Sequence, residues 1–86
     1  MASVQVLYFA WLRERAGRSE ERVVLPEGVS TVDTLVGYLA TLDEPHRAAF
    51  AHAALVRVAV NQEFAAPDTP IADGYEVAFF PPVTGG

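Results

Sequence analysis

The chain has 86 residues, 51% of them apolar and 20% charged, with a formal net charge of −5 and no cysteine. That length suits one small domain, and the balance of apolar to charged residues excludes disorder. The acidic charge disfavours a nucleic-acid or anionic-membrane surface, and the missing cysteine excludes disulfides, thiolate metal sites and a side-chain persulfide.

Ser3 to Phe9 begins with alternation at Val4, Gln5 and Val6 and turns apolar through Leu7, Tyr8 and Phe9, which predicts a central strand covered on both faces at its far end. Trp11 to Ala16 reads as a short helix with Gly17 in the left-handed position after it. Glu21 to Leu25 is a second strand, ended by Pro26, Glu27 and Gly28. Ser30 or Thr31 caps the clearest helix, in which Val32, Leu35, Val36, Leu39 and Leu42 share one face; Pro45 ends it. His46 to Ala53 is a partly helical connection. Val56 to Val60 is a third strand, Asn61-Gln62 a tight turn, and Glu63-Phe64 a short fourth strand. Pro67 and Pro70 mark loop, and Asp73-Gly74 turns into the last strand, Tyr75 to Phe80. The outline is ββαβββ, an α+β domain whose mixed sheet holds one main helix. No apolar run approaches the 18 residues of a membrane span and no cleavable leader is evident, so a cytoplasmic location is expected.

Side-chain chemistry is scarce. His46 and His52 lack the spacing that would join them on one helical face, so both are read as solvent-exposed. The pairs Glu20-Glu21 and Asp43-Glu44 are read as solvated. No phosphate-cradling glycine loop is present. All basic residues are arginine, so a side-chain Schiff base is excluded as well.

The remaining chemistry lies at the end, Phe79-Phe80-Pro81-Pro82-Val83-Thr84-Gly85-Gly86. The prolines hold an extended backbone, and Pro81 to Gly86 would reach on the order of 20 Å from the domain. Two glycines without Cβ atoms suit a channel too narrow for side chains. Phe79 and Phe80 point to opposite faces of their strand, so that one fills the core and the other is left for a partner. An ionised carboxylate is a poor acyl donor, and activation falls to another protein, by adenylation. Sulfur attack would then give a thiocarboxylate, and amine attack an amide.

The run from Asp73 to Gly86, with Val60-Asn61-Gln62 and Val6-Leu7-Tyr8-Phe9-Ala10, resembles the small sulfur-carrier subunit of molybdopterin synthase, in the ubiquitin-like β-grasp superfamily. The resemblance implies a β-grasp domain over residues 1–80 and an extended diglycine tail over 81–86. It implies that an ATP-dependent adenylyltransferase activates Gly86, that no cofactor is bound by the chain itself, and that a sulfurtransferase system makes the thiocarboxylate. Pro81, Pro82, Val83, Thr84 and Gly85 map onto an arm that enters the large catalytic subunit, and Phe79 or Phe80 onto the docking surface. There the thiocarboxylate donates sulfur to cyclic pyranopterin monophosphate, within a heterotetramer of two large and two small subunits. Tyr75 departs from the acidic residue common at its place in the family. A carrier for thiazole synthesis or tRNA thiolation, and a ubiquitin-like protein modifier, are the alternative readings.

Overall fold

A computed structural model of the chain describes residues 1–82; the arm residues 83–86 lie outside the described residues. Strand β1 (Ser3–Tyr8) pairs antiparallel with β2 (Glu20–Val24), from Ser3↔Val24 to Leu7↔Glu20. Between them runs helix α1 (Trp11–Ala16), closed by Gly17 at φ 76°, whose N–H donates to the Arg13 carbonyl at 3.0 Å. A left-handed residue is least strained as glycine, which explains the stop.

Helix α2 (Val32–Leu39) starts at Thr31, whose hydroxyl accepts from Thr34 N–H while the Thr34 hydroxyl accepts from Thr31 N–H. This reciprocal cap satisfies two N–H groups at the helix start. Val32, Leu35 and Leu39 are buried, but the helix ends before Leu42, which is exposed rather than on the buried face. Thr41 explains the early end: its hydroxyl and N–H both donate to the Tyr38 carbonyl, which replaces the next helical bond. Pro45 does not terminate this helix. It lies in the first turn of a separate helix, α3 (Glu44–Ala49), where its missing N–H is no loss. A single 3₁₀ turn, Ala53–Leu55, leads on to β3 (Arg57–Val60).

Strand β4 (Glu63–Phe64) folds back on β3 through Asn61 and Gln62, both at positive φ, 50° and 71°. That geometry matches the strand twist required of a two-residue hairpin. The last strand, β5 (Glu76–Phe80), enters the middle of the sheet, parallel to β1 and antiparallel to β3. The order is β2-β1-β5-β3-β4, the mixed sheet of a ubiquitin-like β-grasp domain. The start of β5 is pinned at the turn, where Gly74 N–H donates to the Ser3 carbonyl and Ser3 N–H to Asp73 Oδ1, each at 2.8 Å.

Helices cover one face of the sheet. Val4, Val6 and Tyr8 of β1 join Leu12, Leu35, Leu39, Val77 and Phe79 in the core, whereas Leu7 is half-buried and Phe9 exposed. The far end of β1 is thus covered on one side, not two. Among the described residues no helix is long and apolar enough to cross a membrane.

Candidate functional site: the root of the arm

Because β1 and β5 run parallel, their C-terminal ends meet at one edge, joined by Phe9 N–H donating to the Phe79 carbonyl at 3.1 Å. The arm therefore leaves the domain beside the β1–α1 junction. Ala10 makes that junction at φ 57°, ψ −133°, a conformation that strains any residue with a Cβ.

The two phenylalanines at the arm's root divide as their alternation requires. Phe79 pairs with Tyr8 and is completely buried; its ring stacks on Tyr8 at 6.2 Å and meets Phe50 edge-on at 4.9 Å. A docking role for Phe79 is corrected here, because the side chain is part of the core. Phe80 points to the open face of the sheet and is half-buried, its ring 5.9 Å from that of Phe64, which is 85% exposed. By register Leu7, Ala78 and Ala59 lie on the same face, with Arg57 opposite Phe80 and Glu20 opposite Leu7. Such an apolar patch, bordered by charged residues and without helices over it, is suited to a protein partner. Phe64 was missed as a surface residue; its place just after the Asn61-Gln62 turn, opposite Ala59, was the available signal. Pro81 and Pro82 follow, both half-buried, while Val83, Thr84, Gly85 and Gly86 fall outside the described residues.

A second constellation corrects the sequence reading more sharply. His46 is 2% exposed, not solvated. Its Nε2 lies 2.6 Å from Glu21 Oε2 and its Nδ1 2.6 Å from Asp43 Oδ1, while the Tyr8 hydroxyl donates to Glu21 Oε2 at 2.6 Å. Arg18 completes the set on Glu21 Oε1 at 3.0 Å. Asp43 also caps α3, accepting from His46 N–H at 3.0 Å. Glu21 and Asp43 are therefore tied into the fold, although Glu20 and Glu44 remain exposed.

Burial pulls the His46 pKa down, but hydrogen bonds and charges from Glu21 and Asp43 outweigh it and hold the imidazole above its ordinary 6.5. Burial pushes Glu21 up, yet the Tyr8 hydroxyl and His46 bring it below the usual carboxylate value. The His46 N–H and ring lower Asp43 likewise. Burial, then the hydrogen bond to Glu21, pushes the Tyr8 hydroxyl well above 10. These shifts describe an imidazolium clamped between two carboxylates. With both ring nitrogens engaged and the ring sealed from water, the cluster has no position for a reactant. It joins β1, β2 and α3 structurally. Among the described residues no group of three or more His, Asp or Glu side chains is arranged to hold a metal ion, and His52 is exposed, outside the cluster.

The described geometry thus places the root of the arm beside an exposed aromatic patch. The ThiS family model matches residues 6–86. The chain belongs to the ThiS family. Within this family's neighbourhood, it is 40% identical to the molybdopterin synthase sulfur carrier subunit of Escherichia coli, over 96% of this chain and 99% of that one. Among solved structures, it resembles SAMP1 from Haloferax volcanii with a TM-score of 0.77 and 32% identity, covering 99% of this chain and all of that one. It shares its fold with a chain in the complex of subunits 1 and 2 of molybdopterin-converting factor from Helicobacter pylori, at TM-score 0.65 and 20% identity, over 98% and 99% of the two chains. The ThiS-family match runs through the whole arm to Gly86.

Proposed function

We propose that this ThiS-family chain is the sulfur-carrier subunit of molybdopterin synthase, with the carried sulfur on the carboxylate of Gly86. The observation that carries the reading is the root geometry: β5 delivers Pro81 and Pro82 from the centre of the sheet, at the edge of an apolar face formed around Phe80 and Phe64. The full-length likeness to a molybdopterin synthase sulfur carrier supports the cargo.

The chemistry divides between partners. An ATP-dependent adenylyltransferase joins the Gly86 carboxylate to AMP with release of pyrophosphate. A sulfur nucleophile then attacks the acyl carbon, AMP departs, and a thiocarboxylate remains. The arm, Pro81 to Gly86, enters the large catalytic subunit, and sulfur passes to cyclic pyranopterin monophosphate; two donations build the dithiolene. The chain binds no cofactor of its own. Two large and two small subunits form the working complex in the cytoplasm, with residues 1–80 as the docking domain and 81–86 as the delivery arm. The Phe80–Phe64 face supplies the contact that places the arm, because burial of exposed aromatics is an efficient source of binding energy.

The likeness to SAMP1 of Haloferax volcanii, a small archaeal modifier protein, favours a second reading, in which an amine takes the same adenylate and the chain becomes attached to another protein. Deletion of Gly86 tests the first reading: sulfur donation to the large subunit is lost while circular dichroism and thermal unfolding stay as in the intact chain. Retained sulfur donation by the truncated chain refutes it.

A further inference from the structure

On the side of the arm root away from the Phe80–Phe64 face, Trp11, Arg15, His52, Leu55 and Pro82 enclose an open cavity of about 370 Å³. We propose that this cavity is a second docking site, filled by an acidic segment of the large subunit with an apolar residue beside the acid. The proposal rests on the carrier reading above.

Position supplies the first argument. Pro82, the last described residue of the arm, forms part of the cavity wall, so a protein that grips the arm at Pro82 also borders the cavity. The site is continuous with the arm and needs no separate approach. The second argument is the exposed apolar surface. Leu55 is 52% exposed at the end of the 3₁₀ turn. A partner seated in the cavity removes it from water.

Charge decides what kind of segment fits. The Arg15 guanidinium sits 4.5 Å above the Trp11 ring, which positions it without consuming its N–H donors. Arg18 and Arg47 have carboxylate partners, Glu21 and Glu44, but among the described residues no carboxylate lies within 4.0 Å of Arg15. A planar, preorganised guanidinium with open donors is matched best by a carboxylate that takes two of them. The exposed His52 imidazole adds a polar group to the same wall. This local sign is opposite to the net charge of −5. An acidic contact here fixes how the domain is turned about its arm, whereas the apolar sheet face supplies area on the other side. Held at two points either side of the root, the arm has one direction in which to enter.

The test uses the purified full chain, the molybdopterin synthase large subunit of the same organism, and the activating enzyme. Isothermal titration calorimetry measures the affinity of wild type, Arg15→Glu, Arg15→Lys and Leu55→Ala for the large subunit at low and moderate salt, and intact mass follows thiocarboxylate formation. Arg15→Glu is expected to weaken the complex by about tenfold or more and to reverse its salt response at this contact. Leu55→Ala weakens it by about fivefold at either salt. Arg15→Lys recovers part of the loss, since charge returns without the planar fork. All variants form the thiocarboxylate at the wild-type rate and keep the wild-type dichroism. Variants that bind as tightly as wild type overturn the proposal alone. A loss confined to thiocarboxylate formation also overturns it, and makes the activating enzyme the occupant. A wild-type chain with no affinity for the large subunit removes the carrier reading itself.

Discussion

Replacing His46 with Asn removes the imidazolium from between Glu21 and Asp43 while keeping the backbone N–H that donates to Asp43. Breaking a buried ion pair by removing one partner costs about 3–5 kcal/mol. The cost here is smaller, because Glu21 keeps the Tyr8 hydroxyl and Arg18 and has some access to water. Screening of this kind reduces the loss to about 2 kcal/mol. A domain of this size has roughly 4–13 kcal/mol of stability in all, and each kilocalorie moves Tm by about 4–8 °C. A fall of about 8–16 °C in Tm is expected near neutral pH. The pH dependence has a definite sign. The His46 pKa is raised on folding, so its contribution is complete below about pH 6.5 and is lost as pH rises through the folded value. Glu21 and Asp43 are lowered, so theirs is present above their ordinary range and lost as pH falls through the folded values. Tyr8 stays protonated across the working range. Thermal unfolding followed by circular dichroism from about pH 5 to 9 therefore shows an alkaline decline in wild type that is absent in His46→Asn. Equal Tm values for the two proteins, or the same alkaline decline in both, would refute a clamped imidazolium.

The two phenylalanines at the root separate stability from binding. Phe79→Ala empties a core site and costs about 3–5 kcal/mol, read from urea unfolding, whereas Phe80→Ala costs under about 1 kcal/mol but weakens binding to the large subunit. Phe64→Ala leaves Tm within a few degrees of wild type and lowers the same affinity by about tenfold, measured by calorimetry. Ala10→Gly runs against the usual penalty for glycine: relief of strain at φ 57°, ψ −133° is expected to raise stability by about 1 kcal/mol in denaturant titrations.

The regular elements were legible where a local rule governs them. Thr31 and Gly17 mark helix ends through their own side chain or its absence, and the Asn61-Gln62 and Asp73-Gly74 turns follow from residues tolerant of positive φ or of tight turns. The end of α2 was not, because Thr41 competes for the Tyr38 carbonyl in a way that apolar spacing does not reveal. In the sequence Pro45 reads as a stop, although it opens α3; proline suits both places, and only the cap at Asp43 tells them apart. The buried cluster was invisible for a different reason. Its key contact joins His46 to Glu21 across 25 positions, and Tyr8 to Glu21 across 13, so no local periodicity encodes it. At the candidate site, opposition of Phe79 and Phe80 was evident from alternation alone. Which one enters the core depends on the register that sets Phe79 against Tyr8, and a slip of one residue would exchange them.

The mass of the intact chain, after incubation with its activating enzyme, ATP and a sulfur donor, tests the carrier assignment most directly. The account predicts a gain equal to replacement of one oxygen by one sulfur, localised by fragmentation to Gly86 and absent when ATP is omitted. An unchanged mass, or a stable amide to another protein as the only product, would contradict it.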